Sequence, residues 1–177
     1  MRIEYPHASE EISERDPMPR GKELKITVFV DSDHAHDTRT CRSITGLIGF
    51  LGCTPVMARA KRQTSVETST YGAEFSAART AVEYIIGMRL FLRSIGVPVT
   101  GPSVLLGDNR GVVLSATQFT SVLAKKHHAI SYHKVRECVA AGIVDFRWID
   151  GVHNLADLMT KPVARVTQNT LLKRIMH

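Results

Sequence analysis

Four acidic residues in this 177-residue sequence lie where strands end or helices begin, at positions suited to metal-ion chemistry. Asp31 follows an apolar, β-branched stretch, and Asp108 follows a second apolar run. Glu74 lies near the start of a long helical pattern, and Asp157 lies in a short helical segment near the end of the sequence. Carboxylate oxygens are preferred ligands of Mg²⁺ and Mn²⁺, and two such ions about 4 Å apart can promote hydrolysis of a phosphodiester.

Each acid taken alone also has an ordinary structural interpretation. Asp31 and Asp108 could begin turns, and Glu74 could be a solvated helix residue. Asp157 would be stabilised in a first helical turn by the helix dipole. Convergence of all four acids in one site is the stronger interpretation, because four separate structural explanations would otherwise have to hold together. Four carboxylates without nearby Lys or Arg partners repel one another unless cations hold them together.

The hydrophobic pattern predicts an α/β fold with a mixed five-stranded sheet. Three strands joined by short turns pair antiparallel, and two more arrive through helical crossovers and run parallel to the first. The predicted strands are 25–30, 43–51, 56–60, 103–108 and 143–149. Helices are predicted at 69–94, from about 109, and at 129–141, 155–160 and 166–176. In this topology Asp31 and Asp108 lie side by side at one edge of the sheet.

The charge is unevenly distributed along the sequence. Lys and Arg number 23 against 17 Asp and Glu, a net charge of +6. Residues 1–20 have a net charge of −2, so residues 21–177 carry +8. This basic body favours a polyanionic partner, nucleic acid before membrane. No apolar stretch reaches the length of a membrane span, and Cys41, Cys53 and Cys138 lack metal-ligand spacing, which favours a reducing compartment.

The four acids lie in recognisable motifs at 30–33, 67–75, 107–109 and 156–162. With the His127-His128-Ala129-Ile130 and Tyr132-His133 segments, these motifs resemble the ribonuclease H domain of copia-type LTR retrotransposon polyproteins, which follows the reverse transcriptase. The likeness extends from about residue 25 to residue 162. It implies a ribonuclease H-like fold and an endonuclease that hydrolyses the RNA strand of RNA–DNA hybrids during reverse transcription. The residues that it implies as both catalytic and metal-binding are Asp31, Glu74, Asp108 and Asp157.

The resemblance also implies cofactors, partners and domain limits. The expected cofactor is two Mg²⁺ ions, with Mn²⁺ as a substitute. The expected partners are an RNA–DNA hybrid and the reverse transcriptase domain of the same polyprotein, with no membrane. Residues 1–22 would be a linker from that domain, 23–163 the ribonuclease H domain and 164–177 a helical tail. An intracellular location is expected, either cytoplasmic within a virus-like particle or nuclear.

Two further residues are auxiliary candidates. Asp33 lies two residues after Asp31 and would exchange with it if the strand register differed. Cellular ribonucleases H place a His in a flexible loop before the last Asp, where it assists product release, and His153 is the nearest counterpart here.

Basic and polar residues around the motifs are candidates for binding the substrate. Phosphate contacts of this kind position a duplex without reading its sequence, and 2′-hydroxyl contacts would select RNA over DNA. The alternative for each is an ordinary solvated surface position. The candidates are Arg59, Lys61, Ser69, Asn109, Lys126, His128, His133 and Lys134. Trp148, the single Trp of the sequence, is expected in the core.

Three other interpretations remain open. The loop after Asp31, with Asp33, His34, His36 and Asp37, could hold zinc, although it lacks further ligands at the usual spacing. A catalytically weak module that binds or tethers nucleic acid would keep the fold but not the turnover. An integrase-type DNA-cutting enzyme normally uses three acids and has no place for the 156–162 motif.

The apolar face of the predicted helix 166–176 would either cap the sheet or dock on a polymerase.

Overall fold

The computed structural model describes residues 9–10, 12–37, 39–118, 120–121 and 129–176. Its centre is a five-stranded sheet in the order β3-β2-β1-β4-β5. β1 pairs antiparallel with β2, and β2 with β3, whereas β4 is parallel to both β1 and β5. The strands are β1 Ile26–Asp33, β2 Ile44–Leu51, β3 Thr54–Arg62, β4 Ser103–Gly107 and β5 Val144–Trp148. The predicted fold class, a mixed sheet with β1 beside β4, is confirmed.

Helices cover both faces of the sheet. On one face the larger core joins sheet residues such as Val28 and Leu105 to three helices, α1 Thr70–Ser94, α2 Arg110–Thr117 and α3 Ala129–Ala140. On the other face lie α4 Asp157–Thr160 and α5 Arg165–Ile175. No helix in the described ranges is long and apolar enough to cross a membrane.

Local sequence explains where the two helices nearest the acids begin. The Ser69 hydroxyl accepts a hydrogen bond from the Gly72 N–H, and the side-chain amide oxygen of Asn109 accepts one from the Val112 N–H. Side chains of this type satisfy N–H groups that have no partner within the helix. The caps fix the first residues of α1 and α2, and so the positions of Glu74 and Asp108 beside them.

The C-terminal helix α5 is part of the sheet's second layer. Leu171 is fully buried and packs with Ile48 and Phe50 of β2 and with Leu155. Of the two roles considered for the apolar face of this segment, the structure supports capping of the sheet.

A charged cluster lies at the amino ends of the parallel strands. The Arg89 side chain is 2% exposed and donates to the Glu10 carboxylate at 2.6 Å, to the Gly101 carbonyl and to the Ser103 hydroxyl. Arg93 also pairs with Glu10 at 2.6 Å. Glu10, within the segment expected to be a linker, therefore contacts the folded body directly.

Three predicted elements differ from the structure by two or three residues at an end, and the others agree to within about one residue. β1 continues through Asp33 instead of ending at residue 30, because β2 extends the ladder as far as the Asp33–Ile44 pair. β3 covers 54–62 instead of 56–60 for the same reason, since β2 pairs along its whole length. α4 begins at Asp157 instead of residue 155, because the preceding residues form a turn around the Asn154 side chain.

Candidate active site

Asp31 lies inside β1, near the strand's carboxyl end. It is 2% exposed and pairs across the ladder with Gly46 of β2. Its neighbour Val30 belongs to the core beneath α1, so alternation directs the Asp31 side chain toward the opposite face, where α4 lies. A strand that is hydrogen-bonded on both sides holds this carboxylate rigidly.

The carboxylates of Asp31, Glu74 and Asp108 meet at the sheet edge. Each contributes one oxygen to a group whose atoms all lie within 4.8 Å of one another. Asp31 comes from β1, Glu74 from the second turn of α1, and Asp108 from the residue after β4. The cluster is thus assembled from the two central strands and from a helix that crosses the sheet.

The charged forms of Glu74 and Asp108 are destabilised within this cluster. Burial, together with the nearby charges of Asp31 and Asp108, raises the pKa of Glu74 to about 9. Burial and the charge of Asp31 also raise the pKa of Asp108. Added positive charge would stabilise the ionised forms, which is the condition under which a buried acid cluster binds a cation.

Asp157 joins the site from α4, accompanied by a lysine. The Asp157 Oδ1 atom lies 3.0 Å from Lys161 Nζ, which in turn lies 3.8 Å from Asp31 Oδ2. Burial outweighs the Lys161 hydrogen bond and, with the charges of Asp31 and Asp108, raises the pKa of Asp157 to about 6. The expectation that the acids lack a nearby Lys or Arg was wrong, because Lys161 lies between two of them.

Thr160 and Gly46 bring α4 onto the sheet. The buried Thr160 hydroxyl donates a hydrogen bond to the Asp31 carboxylate. A Cβ atom at Gly46 would lie 2.6 Å from the Thr160 Cγ2 atom and 2.8 Å from the Ala156 carbonyl oxygen. Only a residue without a side chain allows α4 to approach β2 this closely.

The turn before α4 packs against Asp108. Asn154 is completely buried and donates to the Val30 carbonyl at 2.9 Å. Its side chain also lies close enough to Asp108 to favour the ionised form of that carboxyl. A Cβ atom at Gly151 would lie 3.3 Å from Asp108 Oδ2. His153 is exposed in this same turn. The turn that carries the auxiliary candidate His153 is thus adjacent to the cluster.

Sequence reasoning did not assign roles to Thr160, Lys161 and Asn154. The first two lie three and four positions after Asp157, so helical spacing places them on its side of α4. That spacing was the available signal. Asn154 gave no comparable signal, because its role depends on contacts with β1 and Asp108.

The loop after β1 satisfies its own polar groups. The Asp33 carboxylate lies 2.6 Å from the His36 ring, and the Asp37 carboxylate lies 2.6 Å from the Arg62 guanidinium. His34 hydrogen-bonds the Ser43 hydroxyl at 3.4 Å. Asp31, not Asp33, is therefore the β1 member of the carboxylate cluster among the described residues.

The substrate-binding candidates occupy several surfaces. Arg59 and Lys61 are exposed on β3 and line a groove of about 400 Å³ between this strand and α1. The Ser69 and Asn109 side chains cap their helices beside Glu74 and Asp108. His133 is exposed on α3, where Lys134 lies 3.7 Å from Glu137. Lys126 and His128 lie outside the described residues.

Trp148 is not a core residue, contrary to the expectation from its strand. It is 51% exposed at the end of β5, and its indole N–H donates to the Asp108 carbonyl at 2.9 Å. β5 is buried at Val144 and Phe146, but its last two residues, Arg147 and Trp148, are exposed. The indole ring is therefore exposed on the surface next to Asp108.

Solved structures with a similar arrangement identify the fold. Ribonuclease H1 from Halobacterium salinarum matches with a TM-score of 0.59 at 13% identity, covering 84% of this chain and 98% of that protein. LC11-RNase H1, solved with an RNA/DNA hybrid, matches with a TM-score of 0.60 at 15% identity, covering 77% and 94%. The chain has the ribonuclease H fold. The prototype foamy virus protease-reverse transcriptase matches this fold at a TM-score of 0.52 and 13% identity, covering 92% of this chain and 21% of that protein.

Sequence relatives of this ribonuclease H-fold chain are polyproteins of plant transposons. The retrovirus-related Pol polyprotein from transposon RE2 of Arabidopsis thaliana is 27% identical over 158 residues, 89% of this chain. The corresponding polyprotein from transposon TNT 1-94 of Nicotiana tabacum is 27% identical over 150 residues, 85% of this chain. The chain spans 11% of the length of each. No protein-family model matches the sequence. The resemblance to copia-type polyproteins is confirmed by these relatives together with the fold.

Proposed function

We propose that this chain is a ribonuclease H that hydrolyses the RNA strand of RNA–DNA hybrids during retrotransposon reverse transcription. The observation that carries the proposal is the convergence of the Asp31, Glu74 and Asp108 carboxylates at the sheet edge, with Asp157 adjacent. The ribonuclease H fold and the transposon polyprotein relatives support the same reaction.

The donor set fits divalent cations. Its ligands are carboxylate oxygens, which suit Mg²⁺ or Mn²⁺. The raised pKa of Glu74 also indicates a site with too little positive charge for its acids. Asp31 and Asp108 would bind or bridge two ions, Glu74 would complete one site and Asp157 the other. Such ions activate water and stabilise the leaving oxygen in phosphodiester hydrolysis.

The remaining groups of the site act as supports. The buried Thr160 hydroxyl holds the Asp31 carboxylate by a hydrogen bond, so this carboxylate does not need to reorient when substrate arrives. The buried Asn154 side chain ties the turn beside Asp108 to the Val30 carbonyl. Asp31 also pairs with Gly46 of β2, and the β1–β4 ladder continues as far as the preceding residue, Val30. Preorganisation of this kind places ligand oxygens at fixed positions around the scissile phosphate.

The basic surfaces would bind the hybrid by its backbone. Arg59 and Lys61 project from β3 beside the groove, and His133 and Lys134 project from α3. Contacts to phosphates neutralise charge without reading sequence. Ser69 and Asn109, which adjoin the acids, are candidates for contact with the sugar hydroxyls. Recognition of 2′-hydroxyl groups would select the RNA strand.

The protein partner would be a reverse transcriptase domain on the same polyprotein. The chain covers only 11% of the length of its polyprotein relatives, and the foamy virus match lies within a protease-reverse transcriptase. Glu10, which comes before the first strand, is bound to Arg89 and Arg93 at the amino ends of the parallel strands. A preceding domain would therefore connect at the end of the sheet away from the acids.

Cleavage of a labelled RNA–DNA hybrid in Mg²⁺ or Mn²⁺ tests the proposal. The comparison is between wild type and Asp108→Asn, with single-stranded RNA and duplex DNA as control substrates. Asp145→Asn is the matched protein control, because this acid is on β5 but pairs with Arg147 outside the cluster. We expect cleavage of the hybrid alone, lost in Asp108→Asn and retained in Asp145→Asn.

Two results would contradict the proposal. Cleavage that survives Asp108→Asn would place the chemistry elsewhere. Salt-sensitive hybrid binding without cleavage in either metal would favour the alternative, a catalytically weak module that binds or tethers nucleic acid for its polyprotein.

A further inference from the structure

We propose that Lys161 occupies the position of the second cation in the metal-free site, so that this cation must displace the lysine before it can bind Asp157. The inference rests on the proposed function, because it concerns how the same site acquires its metal ions. In this view the first cation site, formed by Asp31, Glu74 and Asp108, has no lysine in the position of its cation. The second site, which includes Asp157, is occupied by the Lys161 ammonium group.

The position of the lysine carries the argument. Lys161 Nζ lies 3.0 Å from Asp157 Oδ1 and 3.8 Å from Asp31 Oδ2, between the two carboxylates that the second ion would use. The separate group formed by Asp31, Glu74 and Asp108 has its ligand oxygens within 4.8 Å of one another. One cation can therefore be held by that group while Lys161 stays in place.

Two cations cannot share the space beside Asp157. A divalent ion bound to its Oδ1 atom would bring positive charge next to the ammonium group, in surroundings where half-buried charges are poorly screened. Repulsion then favours departure of the lysine. The binding free energy of the second ion is therefore reduced by the free energy needed to break the Lys161–Asp157 and Lys161–Asp31 ion pairs.

The side chain of Lys161 is able to leave. It is 43% exposed, whereas the Asp157 side chain is only 14% exposed. Its backbone is extended, as expected for a residue that precedes a proline, here Pro162. The main chain stays fixed while the long side chain can turn into solvent. Lys161 therefore behaves as a displaceable counter-ion.

Titration calorimetry with Mn²⁺ tests the inference directly on metal-free protein. We compare wild type with Lys161→Met, which keeps the length and apolar character of the side chain but removes its charge. We expect the weaker site to gain about tenfold in affinity, since a bound competitor has been removed. The tighter site should gain clearly less, because Lys161 lies 3.8 Å from Asp31 but does not occupy the position of its cation. Lys161→Arg, which keeps the charge, should retain the wild-type weak site.

Three variants make the result specific. Lys173→Met removes the same charge from an exposed position in the last turn of α5 and should leave both sites unchanged. Asp157→Asn combined with Lys161→Met should abolish the weaker site, because its carboxylate ligand is gone. Thermal denaturation of each metal-free variant verifies that the fold is intact.

An equal or weaker second site in folded Lys161→Met would overturn the inference. Hybrid cleavage by wild type separates this failure from failure of the proposed function. If wild type cleaves and Lys161→Met binds Mn²⁺ as wild type does, only the role of Lys161 is wrong. If the variant gains affinity but wild type does not cleave, the cation competition stands and the nuclease assignment fails. Wild type that binds no Mn²⁺ would overturn both.

Discussion

The described part of the chain contains two buried charged clusters, one at each end of the parallel strands, and they are built in opposite ways. Glu74 near the start of α1 joins Asp31 and Asp108, whereas Arg89 and Arg93 near its end share Glu10. Glu74 and Arg89 are 15 positions apart, about 22 Å along the helix. The same helix therefore supports both clusters.

The pKa values distinguish the clusters. Burial raises the pKa of Glu10, but hydrogen bonds from Arg89 and Arg93 outweigh it and bring the pKa down to about 2. Burial and neighbouring acids raise the pKa of Glu74 to about 9. A cluster that satisfies its own charges stabilises the fold, whereas one that leaves charge uncompensated is prepared to bind something from solution. This contrast separates the structural end from the functional end.

The largest expected effect is on catalysis, from Asp108→Asn. We expect hybrid cleavage to fall by about 10³-fold or more, because a ligand to the metal ions is removed. The free energy of unfolding of the metal-free protein should stay the same or rise, since a repelling charge is lost. Single-turnover cleavage and urea unfolding measure the two quantities. A large loss of stability would show that the acid cluster is structural after all.

The next effect is on stability, from Arg89→Met. Removing one partner of a buried, hydrogen-bonded ion pair should lower the free energy of unfolding by about 3 kcal/mol. Cleavage per folded molecule should persist, because Arg89 lies at the other end of the sheet. The matched control is Arg79→Met on the same helix, whose exposed pair with Glu83 should cost below about 0.5 kcal/mol. Equal costs for the two variants would contradict the structural role of Arg89.

A smaller effect is expected from Gly46→Ala, which tests how the acid end is assembled. The added methyl group would collide with Thr160 and Ala156, so α4 must move away from β2. We expect about 1–3 kcal/mol of destabilisation together with reduced cleavage, as Asp157 shifts with its helix. Gly87→Ala is the control, because a Cβ atom at that helical position meets nothing within 4 Å. It should be neutral or slightly stabilising.

The smallest effect is the contribution of Glu10 to the pH dependence of metal-free stability. Since the pKa of Glu10 is lowered on folding, its contribution of about 1–2 kcal/mol is present above pH 4.5 and is lost as the pH falls toward 2. Glu74 has the opposite sign, because its raised pKa makes stability fall as the pH rises from 4.5 toward 9.

Urea unfolding at several pH values in the presence of a chelator measures how the free energy of unfolding changes with pH. The change on the acid side reports on Glu10, and the change on the neutral side reports on Glu74. Glu10→Gln should reduce the pH dependence on the acid side alone. Glu74→Gln should reduce the pH dependence on the neutral side alone, to which Asp108 and Asp157 also contribute. If one substitution altered the pH dependence on both sides equally, the two clusters would not be independent.

The positions of the acids could be predicted because they depend on local patterns. An apolar run that ends in Asp31 or Asp108 indicates a buried strand with a carboxylate at its end, and parallel crossovers bring such ends together. Ser69, the first residue of the predicted helix 69–94, is the N-cap of α1. Strand order followed from the short turns and the helical crossovers.

The contacts between distant segments could not be predicted in this way. Glu10 and Arg89 are 79 positions apart, and nothing in their local sequence pairs them. The ion pairs of Lys161 depend on how closely α4 approaches β2, which Gly46 permits through the absence of a side chain. Trp148 continues the alternation of Val144 and Phe146 along β5, yet it is exposed where they are buried. Tertiary packing decides each of these cases.

β3 has a consequence for solubility. It is an edge strand of nine residues that pairs with β2 on one side, and most of its residues are exposed. A long open edge invites a strand of another molecule to add to the sheet, and charged side chains along the edge oppose this. Arg59, Lys61 and Arg62 give two copies of this edge the same charge. The residues proposed to meet phosphates therefore also keep the molecules apart in solution.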